Sequence, residues 1–412
     1  MQIKKKNTFL ATLLGSALIF TLFLSPSFAL NGNIPPSVDF HWEPISDIHS
    51  NENINFYDDS TDPDGVIIAW QWNFGDGEYA ISKNPVHSYE DDGTYTVTLT
   101  VIDNNGSMNS TSKQITIVNS PPVANAGPDQ IVNKTLVSFD GSGSNDPDGN
   151  IVTYKWYFGD GKSGTGITIT HNYSHDGVYT ATLNVTDNDG ATDEDTCQIT
   201  VDTTEPNTNI SIDGTKGNND WYTSNVTIML LPSDATSGVD KTYYMINEGS
   251  WKTYTSSFVI SNEGENILKF YSVDKAGNVE TVHTKTIKID KTAPTIVIKS
   301  PEEGYLYFLG RSIIPTLRNK TIIIGRVTVE VNVTSTPSGV KDVRFYVDGY
   351  MKYNTSEPPY TWKWGMAFGR HTLKVKVIDK AGHNASKEME VTIFSILPGR
   401  NTSEIEYAGK EE

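Results

Sequence analysis

Trp72-Asn73-Phe74-Gly75-Asp76-Gly77 returns 84 residues later as Trp156-Tyr157-Phe158-Gly159-Asp160-Gly161. At the same offset Asp62 matches Asp146, His87 matches His171, Tyr89 matches Tyr173, Tyr95 matches Tyr179 and Asp103 matches Asp187. One offset shared by so many side chains marks a duplicated domain, so a residue present in both copies is explained first as part of the fold. Leading into the hexapeptides, Ile68, Trp70, Trp72 and Phe74 alternate with Ala69, Gln71 and Asn73; Val152, Tyr154, Trp156 and Phe158 do the same in the second copy. Period two with large residues on one face predicts half-buried strands of antiparallel sheets. Tyr95, Val97, Leu99 and Val101, and Tyr179, Ala181, Leu183 and Val185, read the same way.

Working outward, an Asp-x-x-Gly turn closes a strand-like run four times, at Asp103, Asp187, Asp274 and Asp379. Spacings of 84, 87 and 105 residues imply four domains, each able to hold one modest core. Proline marks the joint before each: Pro35-Pro36, Pro121-Pro122, Pro206 and Pro294. The expected boundaries are 36–119, 120–202, 203–290 and 291–394, followed by a polar tail over 395–412. Among 412 residues 37% are hydrophobic, and the 33 glycines fit many short strands joined by polar turns. No amphipathic helix stands out in the mature chain.

Residues 1–29 read as a signal peptide. Lys4-Lys5-Lys6 forms the basic end, Phe9 to Leu24 the apolar run, and Ser27-Phe28-Ala29 the cleavage site. With no further apolar span, no membrane crossing is expected in the mature chain. Removing the three lysines takes the formal charge from −18 to −21, which disfavours nucleic acid and anionic lipid as partners. The single cysteine, Cys197, alternates with Ile199 and Val201 and reads as a small buried hydrophobe.

Asp-Pro-Asp-Gly at 62–65 and 146–149, Trp-x-Phe-Gly-Asp-Gly, His-x-Tyr and Gly-x-Tyr together resemble the polycystic kidney disease (PKD) repeat over residues 36–202. That resemblance implies an immunoglobulin-like β-sandwich of the kind found in secreted and cell-surface proteins, with the Trp as core plug and Tyr95 and Tyr179 as tyrosine corners. The second half resembles bacterial and archaeal immunoglobulin-like modules. It does so through Ser237-Gly238-Val239, Ser338-Gly339-Val340 and the Asp-Lys-Ala-Gly ends at 274–277 and 379–382. The implied fold class is all-β: four tandem immunoglobulin-like sandwiches, two PKD repeats then two immunoglobulin-like modules. Residues 304–325 add an apolar, Tyr-rich segment read as an extra hairpin.

Candidate chemistry is sparse. Gly159-Asp160-Gly161-Lys162-Ser163-Gly164 satisfies G-x-G-x-x-G, but a strand-like Ile167-Thr168-Ile169-Thr170 follows where a phosphate site needs a helix. On each Asp-Pro-Asp-Gly turn, Asp caps the backbone and Gly takes a positive φ in the structural reading. In the functional reading, Asp62, Asp64, Asp146 and Asp148 are candidate ligands of weakly bound calcium, which the resemblance also suggests. The histidines have no metal-ligand spacing, and His371, at the corner position of Tyr95 and Tyr179, is expected to contact backbone. Trp221, Trp251 and the pair Trp362/Trp364 are candidates for stacking on sugars, although the pair shares one face and fits a core better. Asn-x-Ser/Thr acceptors for N-glycosylation begin at Asn105, Asn109, Asn133, Asn172, Asn209, Asn225, Asn319, Asn332, Asn354, Asn384 and Asn401, with Asn184 the least accessible.

No catalytic constellation emerges, and no catalytic residue, cofactor site or resident metal centre is assigned. The expectation is an exported, non-catalytic surface or adhesion protein, or an envelope spacer, whose partner is a cell-surface protein or a polysaccharide. The alternative is the polymer-binding accessory part of a secreted protease or glycoside hydrolase. The region expected to meet the partner is Tyr305–Phe308 with its flanking loops.

Overall fold

The computed structural model describes residues 32–399. The predicted signal peptide, most of the polar tail and Asn401 lie outside the described residues. There is no helix among the described residues, and hence none long and apolar enough to cross a membrane. The fold is all-β, a series of sandwiches as the alternation requires.

In the first domain the strands Phe40–Glu43, Ile54–Asp58 and Val86–His87 make one sheet. Ile67–Asn73 lies between Tyr79–Ala80 and Gly93–Asp103 in the other, and Met108–Ile117 follows at its far edge. Three further cores follow, around Trp156, around Phe270 and around Phe345. Each core is closed on itself, so the joints carry little apolar packing. Limited proteolysis is expected to cut near residues 120, 203 and 291; a chain resisting all three cuts as one unit would refute independent domains.

Trp72 and Trp156 are wholly buried, each donating its indole N–H to a main-chain carbonyl, of Ser82 at 3.1 Å and Gly166 at 3.2 Å. Tyr244 and Phe345 take this position in the third and fourth domains, paired with the long central strands Gly264–Asp274 and Ala367–Asp379. Both tyrosine corners form: the Tyr95 hydroxyl donates to Asp91 O and that of Tyr179 to His175 O, at 2.9 Å each. His87 and His171 stack on Phe74 and Phe158 and meet Asp76 and Asp160, so they belong to the fold.

Two details depart from the sequence reading. The alternation fails at Ile68 and Val152, which are exposed. A β-bulge between Ile67 and Ala69, and its counterpart between Ile151 and Thr153, inserts one residue and turns Ile67 and Ile151 inward instead. The same bulge recurs at Val239/Lys241 and Val340/Asp342. In every domain it sits opposite the aspartate that starts the Asp-x-x-Gly turn. The second departure is His371, which reaches the Asp348 carboxylate at 2.6 Å rather than backbone, because that side chain also caps Thr372 N.

Candidate functional site: an apolar outer sheet face and acidic turns

In the fourth domain the extra segment builds more than a hairpin. Tyr305–Phe308 pairs antiparallel with Arg311–Pro315 and parallel with Thr321–Ile324, which pairs parallel with Asn384–Ser395. Registers then set Phe308 beside Ile324, Ile324 beside Phe394 and Phe394 beside Phe368, forming one row across four strands. These side chains are 51, 42, 48 and 62% exposed, so the row faces away from the core. Two residues along, Ile314, Leu306 and Ile322 form a second apolar row that ends in Thr392 and Arg370. Lone exposed apolar residues need no explanation, but two adjoining rows on one sheet face do. Tyr305 and Tyr307 point the other way, toward the core, so within the predicted contact segment the outward residues are Leu306 and Phe308.

The charge here is opposite to that of the chain. Residues 304–326 carry Arg311, Arg318, Lys320 and Arg326 and no carboxylate. Such a basic rim on an acidic protein favours a neutral or anionic partner.

The remaining aromatic candidates fall out. Trp362 and Trp364 are buried in the fourth core and Trp221 is buried outside the third; of the four only Trp251 is substantially exposed, edge-on to Tyr271 at 4.8 Å. Cys197 is buried among apolar neighbours, which pushes its thiol up to about 11 and keeps it from acting as a nucleophile. The G-x-G-x-x-G segment is a turn: Gly159 has φ near +80°, and a Cβ there would lie 2.6 Å from Thr180 O. Every predicted glycosylation acceptor among the described residues is exposed, whereas Asn184 is half-buried and donates to Glu194.

The Asp-Pro-Asp-Gly turns differ from the capping reading. Asp64 accepts the Ile34 N–H and Asp148 the Ser120 N–H, tying each turn to the preceding joint. Both oxygens of Asp62 and of Asp146 are shielded and make no hydrogen bond of normal geometry, although the N–H of Asp64 or Asp148 lies near enough to oppose the rise of each carboxyl. Gly65 and Gly149 do not adopt positive φ; they are glycines because a Cβ would collide with Asn104 Oδ1 and Asp62 Oδ2, or with Asn188 Oδ1 and Asp146 Oδ2. Burial pushes the Asp62 and Asp146 carboxyls above their usual range, and the neighbouring Asp64 and Asp103, or Asp148 and Asp187, add to it. Shielded, unpartnered carboxylate oxygens beside an amide oxygen fit a hard cation such as calcium, for which Asp62 with Asp64, and Asp146 with Asp148, would supply ligands. A carboxyl whose folded pKa is raised stabilises the fold while protonated, and loses that contribution as pH rises past the folded value. In chelator at neutral pH, Asp62→Asn and Asp146→Asn are therefore expected to raise the melting midpoint of their domains. A fall in both midpoints would contradict this.

The sequence reading missed two groups at the later joints: Asp202 with Asp234 and Asp274 of the third domain, and Asp290 with Asp379 and His383 of the fourth. A signal was present: Asp202-Thr203-Thr204-Glu205-Pro206 and Asp290-Lys291-Thr292-Ala293-Pro294 share Asp-x-Thr-x-Pro at the joints.

Comparison with known proteins agrees with this architecture. A PKD domain model matches residues 33–118 and 119–201, and a bacterial Ig domain model matches residues 294–375. Among curated proteins, collagenase ColA of Clostridium perfringens is 39% identical over 113 residues, 23% of this chain and 10% of the relative. The pre-pro-metalloprotease PrtV of Vibrio cholerae is 33% identical over 132 residues, 32% of this chain and 14% of the relative. The chain thus spans between about a tenth and a seventh of these relatives. Among solved structures, the PKD1 domain of Vibrio anguillarum Epp is 30% identical, covers 21% of this chain and 96% of its own, and has a TM-score of 0.19. This chain carries two PKD domains in tandem and, after them, a bacterial Ig domain.

Proposed function

We propose that this chain is an exported, non-catalytic surface protein in which the sandwiches act as spacers and the outer sheet face of the fourth domain binds the partner. The carrying observation is the double apolar row Phe308–Ile324–Phe394–Phe368 and Ile314–Leu306–Ile322, rimmed by arginines. A spacer whose only task is length has no use for such a face, and leaving it in water favours association. Its flat, aromatic-bearing shape suits a polysaccharide or an extended surface protein. Exposed glycosylation acceptors and joints marked by proline support an extracellular string of modules.

The test is binding of the full chain to intact cells and to isolated envelope polymer. Phe308→Ser with Phe394→Ser is expected to weaken it at least about tenfold without lowering the melting midpoint, since both side chains already face water. Unchanged binding moves the site elsewhere. Small-angle scattering checks the spacer role: four sandwiches end to end span on the order of 140–180 Å, and a globular envelope would end that reading.

A second reading is favoured by the relatives, since PKD domains of this kind occur in proteins named as a collagenase and a metalloprotease. In it the chain is the polymer-binding accessory part of a secreted hydrolase system. Retention on insoluble collagen or another substrate polymer, but not on cells, would favour this reading. Both readings predict no turnover of peptide, glycan or ester substrates by the purified chain; activity lost on mutating one residue would refute them together.

A further inference from the structure

At the first two joints an asparagine amide closes the buried aspartate of the Asp-x-x-Gly turn. Asn33 Nδ2 donates to Asp103 Oδ2 at 2.7 Å, and Asn119 Nδ2 donates to Asp187 Oδ2 at 2.9 Å. At the joint between the second and third domains the residue in that place is Asp202, which directly follows the strand Thr192–Val201. The amide that closes Asp274 Oδ2 comes here from Asn278, at 2.8 Å, and the joint position carries a second carboxylate instead. Asp234, in the loop after the strand Val226–Ser233, brings a third.

One oxygen from each of Asp202, Asp234 and Asp274 lies within 4.8 Å of the other two. Two oxygens bound to one calcium at about 2.4 Å can be no farther apart than about 4.8 Å, so a single ion can meet all three. Asp202 is fully buried and Asp274 nearly so. No Lys, Arg or His among the described residues forms an ion pair with any of the three. The Lys275 ammonium, on the same turn as Asp274, sits instead near Gly238. Main-chain N–H groups and the Asn278 amide donate to all three, but no cation among the described residues pairs with them, and buried carboxylates grouped without one are disfavoured in a protein interior.

A separate observation points to a ligand in the same place. Ser237 is more than nine-tenths buried, and its hydroxyl has no hydrogen-bond partner. Its own N–H donates to Asp202 Oδ2 at 2.9 Å and the next one, of Gly238, to Asp234 Oδ1 at 2.7 Å. The backbone of Ser237 is therefore held against two of the three carboxylates, and its own side-chain oxygen is unused.

The fourth domain supplies the contrast. Its corresponding serine, Ser338, also donates its N–H to the joint aspartate, Asp290, at 3.0 Å. There the serine hydroxyl accepts the Ala381 N–H and meets the Thr336 hydroxyl. Thr336 and the His383 ring in turn reach Asp379. That joint has two carboxylates, satisfied by the chain's own donors. The joint before it also gives its carboxylates main-chain and Asn278 donors, and differs in having a third carboxylate and an idle hydroxyl.

We propose that Asp202, Asp234, Asp274 and the Ser237 hydroxyl bind one calcium ion, which fastens the end of the second domain to the third. Oxygen-only ligands suit calcium rather than zinc, and water or second carboxylate oxygens complete the shell. Asp202 belongs to the joint while Asp234 and Asp274 belong to the third domain, so ion binding stiffens the joint, already held by Asn278 Nδ2 donating to Asp202 O at 2.8 Å.

The experiment uses the full chain carrying Asp62→Asn and Asp146→Asn, so that the Asp-Pro-Asp-Gly turns do not contribute, and titrates it with calcium chloride by calorimetry. One equivalent is expected to bind and to raise the melting midpoint of the third domain. Adding Asp234→Asn, which keeps the oxygen that caps Gly238, is expected to weaken binding at least about tenfold and to leave the midpoint in chelator equal or higher. Ser237→Ala, which removes only the hydroxyl, is expected to weaken binding by a smaller factor. Absence of binding in the parent, or unchanged stoichiometry and affinity in both variants, overturns the proposal. A lower midpoint for Asp234→Asn in chelator together with unaltered affinity assigns the aspartate a purely structural role and overturns it as well.

Discussion

Trp156→Ala is expected to destabilise the second domain by about 3–5 kcal/mol, a large share of what a domain of this size possesses. The indole is wholly buried, packs against Phe139 with ring centroids 5.1 Å apart, and gives its N–H to Gly166 O. Its removal leaves a cavity in the sandwich and an unpaired carbonyl. Collapse to fill the space is opposed by the strands on either side, Ser163–Thr165 and Gly177–Asp187. Because this core contains no residue of the other three, the loss should stay within residues 119–201. Hydrogen exchange followed by mass spectrometry reads this directly: amides of the second domain lose protection while those of the third and fourth keep theirs. A change below about 1 kcal/mol would show that the indole is not the core plug.

Asp379→Ala is expected to be comparably severe, about 3–5 kcal/mol, although it removes only a small polar side chain. Asp379 has no exposure to solvent. Its Oδ1 accepts the N–H groups of Gly382 at 2.7 Å and His383 at 2.8 Å, and its Oδ2 accepts from Thr336 and His383. Alanine would leave these donors buried without an acceptor, which costs more than any hydrogen bond it forgoes. Urea denaturation of Asp379→Ala and Asp379→Asn separates the two parts of the effect, the amide being the milder change because it keeps one oxygen. Equal stability of alanine variant and parent would refute this role.

The same construction in the PKD domains has a pH signature. Burial alone would raise the Asp187 carboxyl, but the Asn119 amide and the N–H groups of Ala191, Asp189 and Gly190 outweigh it and hold the group below its usual range. Asp103 is held down in the same way by Asn33 and the N–H groups of its own turn. A depressed folded value contributes stability above the unfolded value of about 4, and that contribution is lost as pH falls through the folded value. Acid unfolding of the first two domains should therefore set in below about pH 4, in the opposite direction to the effect of Asp62 and Asp146.

Period-two alternation, the repeated Trp-x-Phe-Gly-Asp-Gly and the Asp-x-x-Gly turns were enough to read an all-β chain of sandwiches with Trp72 and Trp156 inside, because each depends on residues close in sequence. A strand tells its own two faces apart from side-chain spacing alone. Alternation does not reveal a bulge, so it puts Ile68 and Val152 on the inner face, whereas the extra residue opposite Asp103 and Asp187 turns them outward. Nor does it reveal which strands become neighbours. Phe308, Ile324, Phe368 and Phe394 come from four strands, and only the parallel pairing of Thr321–Ile324 with Asn384–Ser395 brings them into a single exposed row. The acids at the joint are separated in the same manner: Asp202, Asp234 and Asp274 lie 32 and 40 residues apart, each unremarkable in its own turn. Folding the third domain against the end of the second is what gathers them, since burial and charge at a point are set by everything that packs there and not by the local sequence.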